Sequence, residues 1–316
     1  DVYKRQWLRR IIAPAVSARR MAALRPVVEK VAAELADGLE TTPAGAATDL
    51  RARYAVPLPI AVIGHLMGVP AGRREEFRAR VDRVFDTMIS PAEAAANTAA
   101  LYTLLDDLIA AKRAEPGDDL TSALIAVREE DGGSALTEEE LRDTLLLMIN
   151  AGYETTVNLI DQAVTTLLTR PEQLAHVRTG RAGWADVVEE TLRHDPPVKH
   201  LPMRFAVRDI PLPDGRTILK GEAILASYAA ANRHPDWHDA PDAFDVTRIT
   251  KDHLAFGHGI HFCLGAALAR LEGETALRVL FDRFPDIELS VEPGELRPLA
   301  SLISNGHRSL PVRPRP

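Results

Sequence analysis

A single cysteine, Cys263, sits in the segment Phe256-Gly257-His258-Gly259-Ile260-His261-Phe262-Cys263-Leu264-Gly265. Gly257, Gly259 and Gly265 permit backbone conformations closed to other residues and let the chain approach a flat ligand, while Phe256 and Phe262 supply apolar cover. Leu264, Leu268 and Leu271 follow at i, i+4 and i+7, so the spacing predicts a helix beginning at or just after Cys263. At a helix N-terminus the backbone N–H groups and the dipole favour a thiolate, and a metal completes the deprotonation. The chemistry expected is that of a soft anionic sulfur. A lone cysteine is more often a small core hydrophobe; the surrounding glycines and aromatics argue against that here. His258, His261 and Cys263 also suggest a structural metal site, and Cys263 beside His261 a cysteine hydrolase. Neither a second cysteine nor a nucleophile elbow accompanies them.

A second constellation is Ala151-Gly152-Tyr153-Glu154-Thr155-Thr156, in the middle of a long apolar helical run. The glycine costs about 1 kcal/mol against alanine there, and Thr155 can bond back to a carbonyl, so a local opening of the helix is expected. A third is Glu190-Thr191-Leu192-Arg193 ahead of Pro196-Pro197, where an acid and a base at i, i+3 can pair on one helical face.

The cysteine segment, continued as Ala266-Ala267-Leu268-Ala269-Arg270, resembles the haem-binding loop of the cytochrome P-450 family. The resemblance implies haem b (iron protoporphyrin IX) with Cys263 as axial thiolate. It also implies that His261, Arg204 and Arg9 contact propionates, and that Phe256, Gly257, Gly265 and Ala151 lie against the macrocycle. Ala151-Gly152-Tyr153-Glu154-Thr155 is similar to the family's distal helix motif, in which Glu154 brings protons in and Thr155 organises a water. Glu190 and Arg193 match its buried structural pair. The arginine that many relatives carry before a phenylalanine is missing from Pro241-Asp242-Ala243-Phe244, and Arg248 is the substitute considered. Trp7-Leu8-Arg9-Arg10 and Ser17-Ala18-Arg19-Arg20 are similar to an early helix of the family. A sizeable segment is therefore expected ahead of this chain, and its first six residues match the family poorly.

The elements that must position these groups are read from pattern. Helical spacing covers Arg25 to Leu39, Pro57 to Met67, Arg73 to Met88 and Pro91 to Arg113, and Thr137 with Glu140 forms a capping box ahead of a run from Leu141 to about Leu168 that is apolar on nearly all sides. Asp214-Gly215 separates two short strands, Ala223-Ile224-Leu225 forms another, and Asn305-Gly306 marks a second hairpin. The class expected is mainly α with minor β, in a single domain of residues 1–316, N-terminally incomplete by the resemblance. The 316 residues, 46% hydrophobic, can bury a large core. The net charge of −7 argues against nucleic-acid binding, and one cysteine excludes an intramolecular disulfide framework. No apolar run reaches membrane-span length, and a cytoplasmic location is expected.

The activity implied by the resemblance is insertion of one atom of O2 into a small apolar organic substrate. Electrons would come from a ferredoxin or flavodoxin and its NAD(P)H-dependent reductase. The alternative is a haem-binding protein without turnover. Leu147, Asn150, Val198, His200 and Leu302 are the expected pocket residues. Lys4, Arg5, Arg9, Arg10, Arg19 and Arg20 give the first twenty residues a basic character suited to an acidic donor.

Overall fold

The computed structural model describes residues 2–84, 89–130 and 136–316. Among them the helices are α1 (Val2–Ala15), α2 (Ala18–Ala23), α3 (Arg25–Glu40), α4 (Pro57–Leu66), α5 (Arg74–Val84), α6 (Pro91–Ala114), α7 (Leu120–Glu130), α8 (Glu138–Thr169), α9 (Pro171–Arg178), α10 (Trp184–His194), α11 (Tyr228–Ala231) and α12 (Ala266–Arg283). The strands are β1 (Thr48–Asp49), β2 (His200–Phe205), β3 (Ile210–Pro211), β4 (Thr217–Ile218), β5 (Ala223–Ser227), β6 (Glu288–Leu289) and β7 (Pro311–Arg313). Helix dominates, as the spacing predicts. Three of the four expected early helices, α3, α4 and α6, fall within a residue or two of their expected bounds, and the remaining one, α5, begins one residue after its expected start. Residues 71–73 form a 3-10 turn before α5, and residues 85–88 of the expected third helix lie outside the described residues.

The chain divides into two compact units, residues 1–43, 50–157 and 264–285 in one and 44–49, 158–263 and 286–316 in the other. In the first, α3 buries Val28, Val31, Ala32, Ala36 and Leu39, and packs with α12, which buries Leu268, Leu271, Leu277, Leu280 and Phe281. Each Val, Leu or Phe among them contributes about 1.5–3 kcal/mol by leaving water. Buried Tyr54 donates its hydroxyl to Ala276 O at 2.8 Å, and burial pushes its pKa above the usual phenol value. At the α3–α12 rim, Arg278 pairs with Glu29 at 2.9 Å and Arg283 with Asp37 at 2.7 Å, both well exposed and adding little.

Helix α8 opens with the expected box, Thr137 N donating to Glu140 Oε2 at 3.0 Å and Glu140 N to Thr137 Oγ1 at 3.1 Å. Two expectations for it need correction. The helix is unbroken through Gly152, where a Cβ would lie 3.1 Å from Ile63 Cδ1 on α4; the glycine serves close packing rather than an opening. Nor is α8 apolar all round, since Thr144, Thr156, Asn158, Asp161, Gln162 and Thr166 are all buried on it.

In the second unit β2 pairs antiparallel with β5, and β3 with β4 across the Asp214-Gly215 turn, where Gly215 has φ +85°. A three-stranded sheet runs β1-β7-β6. The hairpin expected at Asn305-Gly306 is displaced. The chain reverses around residues 300–305, with Leu299 N donating to Gly306 O at 2.8 Å and Arg308 N to Arg297 O at 2.8 Å. Gly306 is flank rather than tip, and it does not have the positive φ that an Asn-Gly turn requires. Its missing side chain has another cause: a Cβ there would lie 2.3 Å from Asn158 Oδ1 and 2.9 Å from Asp161 Oδ2.

Candidate active site

The cysteine loop belongs to the second unit. Gly257 (φ +70°) and Gly259 (φ +65°) adopt the left-handed region, and the 3-10 turn Gly259–His261 folds the segment back so that Cys263 N donates to Phe256 O at 2.8 Å. Phe256 and Phe262 stack edge to face at 6.3 Å. Gly265 has φ −84° and uses no glycine-specific conformation; it is the N-cap of α12, and Ala269 N donates to its carbonyl at 2.9 Å. The helix thus starts at Ala266, later than expected, and Cys263 precedes the cap by two residues. Cys263 and His261 are exposed, flanked by Ile260 at 55% and Phe262 at 43% exposure. Exposed aromatic and aliphatic groups beside an exposed sulfur fit a flat apolar ligand. Among the described residues no three His, Cys, Asp or Glu side chains gather as a metal site, so His258, His261 and Cys263 do not form one. The donor set is one soft sulfur, which fits a metal whose other ligands come from a non-protein macrocycle.

The structural pair is built in the same unit. Glu190 and Arg193 on α10 are fully buried and joined by two bonds, Nε to Oε2 at 2.8 Å and Nη2 to Oε1 at 2.7 Å. Arg193 also donates to Pro241 O at 2.8 Å and Ala243 O at 2.7 Å, and Glu190 accepts from Asp245 N at 2.8 Å. Arg248 supplies the third member, its Nε 3.5 Å from Glu190 Oε1 and its guanidinium on the carbonyls of Asp239, Ala240 and Ala243. Next to this clamp, Asp195 bonds His194 Nδ1 at 2.7 Å and Arg233 at 2.9 Å. Burial alone would raise the Asp195 pKa, but these partners outweigh it and hold the carboxyl below its ordinary range.

Of the remaining expected residues in this unit, Arg204 lies on β2 opposite Ile224, and His200 opposite Ser227 with its Nδ1 buried and without a hydrogen-bond partner. Val198 bridges Ser304, and Lys199 N donates to Ile303 O at 2.8 Å, which brings Val198 beside the loop bearing Leu302. In the first unit, Arg9 lies half-exposed on α1. Leu147, Asn150, Ala151, Glu154 and Thr155 share one face of α8 by their i, i+3/i+4 spacing. Leu147 is 63% exposed and Ala151 is also open, while Thr155 Oγ1 donates to Ala151 O at 2.8 Å, the back-bond expected from sequence. Tyr153 points elsewhere, its hydroxyl on Asp82 Oδ1 at 3.0 Å, and burial raises its pKa. Two acids buried within α8 and α12 escaped the sequence reading. Asp161 accepts from His307 N at 2.6 Å, and Glu272 on α12 bonds Thr156. An acid within a largely apolar helical run was the available signal for Asp161, whereas Glu272, between Arg270 and Glu274, gave none.

The pattern of the family described as Cytochrome P450 matches residues 71–179 and 185–299. A solved structure of CYP154A1 from Streptomyces coelicolor A3(2) is 67% identical with a TM-score of 0.86, covering 98% of this chain and 77% of that one. The 2-hydroxy-5-methyl-1-naphthoate 7-hydroxylase of Streptomyces carzinostaticus is 42% identical over 96% of this chain and 74% of its own length. The cytochrome P450 monooxygenase PikC of Streptomyces venezuelae is 43% identical over 97% and 73%.

Proposed function

Because this chain belongs to the cytochrome P450 family, as a monooxygenase that inserts one atom of O2 into an apolar organic substrate, we propose that Cys263 is the axial thiolate of haem b. When bound, the haem supplies the oxygen-activating chemistry, which a thiolate donor promotes by pushing electron density to the iron. The observation that carries the proposal is the exposed sulfur at the end of a loop closed by its own N–H on Phe256 O. In this reading His261, Arg204 and Arg9 hold the propionates. Phe256, Gly257, Gly265 and Ala151 leave room for the ring plane, and Glu190 with Arg193 holds the segment that precedes the loop.

Glu154 is assigned to carry protons from solvent and Thr155 to hold a water. The Thr155 hydroxyl proton is committed to Ala151 O, so its oxygen presents lone pairs and the water donates to it. Leu147, Asn150, Val198, His200 and Leu302 are assigned to the substrate. Exposed Leu147 and Leu302 favour a ligand that is mostly apolar, and the named naphthoate hydroxylase supports an aromatic one. Electrons are assigned to a ferredoxin or flavodoxin with its NAD(P)H-dependent reductase, and the chain is assigned with them to the cytoplasm. The family match runs through both units, which supports reading residues 1–316 as one functional domain.

The test is the absorption spectrum of the reduced, haem-loaded chain under carbon monoxide. The expected result is the strongly red-shifted Soret band of a thiolate-bound ferrous carbonyl, lost in Cys263→His although haem is retained. A folded wild-type chain that shows an imidazole-type band would remove Cys263 as ligand.

A further inference from the structure

Glu272 is an acid in a place that suits no charge. It is 1% exposed on α12 between buried Leu271 and Thr275, and among the described residues its polar partner is the Thr156 side chain. Glu272 Oε1 and Thr275 Oγ1, one turn on, are buried with no hydrogen-bond partner. A carboxylate needs several donors or a cation, whereas a neutral carboxyl can be satisfied by one hydroxyl. Burial pushes the group up to about 8, although the Thr156 bond acts the other way. The charged groups of the helices packed on α12 lie at the surface: Glu29 pairs with Arg278, Asp37 and Glu40 with Arg283, Arg20 with Asp118 and Lys30 with Glu34, and Arg19 and Arg25 are exposed.

We infer that Glu272 is a positioning residue, a neutral acid that grips Thr156 and so fixes the turn of α8 that presents Glu154 and Thr155. The inference rests on the roles proposed above for those two residues. The same turn is gripped from two other directions, by Ile63 of α4 against Gly152 and by Asp82 of α5 on the Tyr153 hydroxyl. Glu272 supplies the third grip, from α12, and it lasts while the proton stays.

The native state keeps that proton from about pH 4.5 to about 8, while an unfolded chain releases it. Wild-type stability therefore falls as pH rises through this window and levels off above it. Glu272→Gln keeps a neutral partner for Thr156 and should lack that slope, gaining several degrees in Tm over wild type by pH 8. The second measurement is backbone hydrogen exchange at residues 151–157 in the haem-loaded chain, corrected for intrinsic rates. Glu272→Leu or Thr156→Val should speed exchange about tenfold or more at pH 7. Wild type should loosen between pH 7 and 9, and Glu272→Gln should not. An equal pH slope in wild type and Glu272→Gln overturns the neutral acid. Unchanged exchange in folded Glu272→Leu and Thr156→Val overturns the positioning. Peroxide release per electron by Thr155→Ala separates the two readings: no increase over wild type sinks the role of Thr155, and the exchange result still decides Glu272.

Discussion

Replacing Gly306 by alanine places a methyl carbon 2.3 Å from Oδ1 of Asn158, which is itself buried on α8. Because φ at Gly306 is ordinary, the penalty is steric, not conformational, and should be about 1–3 kcal/mol, read as a lower urea midpoint with unchanged m-value. Gly257→Ala should fail for the opposite reason. Its added Cβ meets nothing closer than 3.6 Å, but φ +70° costs an L-residue about 1–2 kcal/mol and strains the loop ending in Cys263. Retained haem after refolding is the quantity to compare with wild type, and Gly257→Ala should retain less. At this scale the sequence was read well where chemistry is local. Thr155 and its back-bond partner are four residues apart, and both loop glycines with positive φ were legible. Gly306 was misread because its constraint comes from Asn158 and Asp161, about 150 residues earlier, and a local Asn-Gly rule has no access to them.

The α10 clamp is where an element carries the penalty of buried charge. Arg193 and Glu190 are both fully buried, so Arg193→Met leaves Glu190 without its bidentate partner and should cost about 3–5 kcal/mol in equilibrium unfolding. Arg248→Ala removes a longer 3.5 Å contact and should cost distinctly less; a loss equal to that of Arg193→Met would make the two arginines equivalent, against the geometry. Asp195 adds a pH dependence. Its folded pKa is depressed, so its contribution is present above the ordinary carboxylate range and is lost as pH falls through the folded value; Asp195→Asn should flatten the acid limb of a melting profile. The Glu-x-x-Arg pair was visible as an i, i+3 spacing, whereas Arg248 was reached only through the family resemblance, as a substitute for an arginine missing before Phe244. The carbonyls that the pair fastens could not, because backbone acceptors at Pro241 and Ala243 carry no side-chain signature.

For the molecule as a whole, the proposed docking of an acidic electron donor turns on a basic N-terminal region within a chain of net charge −7. Lys4 and Arg5 have side chains outside the described residues. Arg20 is already paired with Asp118 at 2.9 Å, whereas Arg19 is exposed, so Arg19→Glu is the cleaner probe. It should slow reduction by an acidic ferredoxin at low salt and flatten the salt dependence, since screening acts over roughly 10 Å at 0.1 M. An unchanged rate would place the docking surface elsewhere. The α10 clamp also dictates an order of events during synthesis. Every acceptor that Arg193 uses beyond Glu190 lies 39 to 50 residues downstream, at Asn232, Pro241 and Ala243, and Glu190 receives Asp245 N 55 residues on. A nascent chain that has just delivered α10 therefore holds two solvated charges on a helix whose lid is not yet made. Dehydration of that pair waits until the chain as far as Asp245 has been made, and is a late step of assembly.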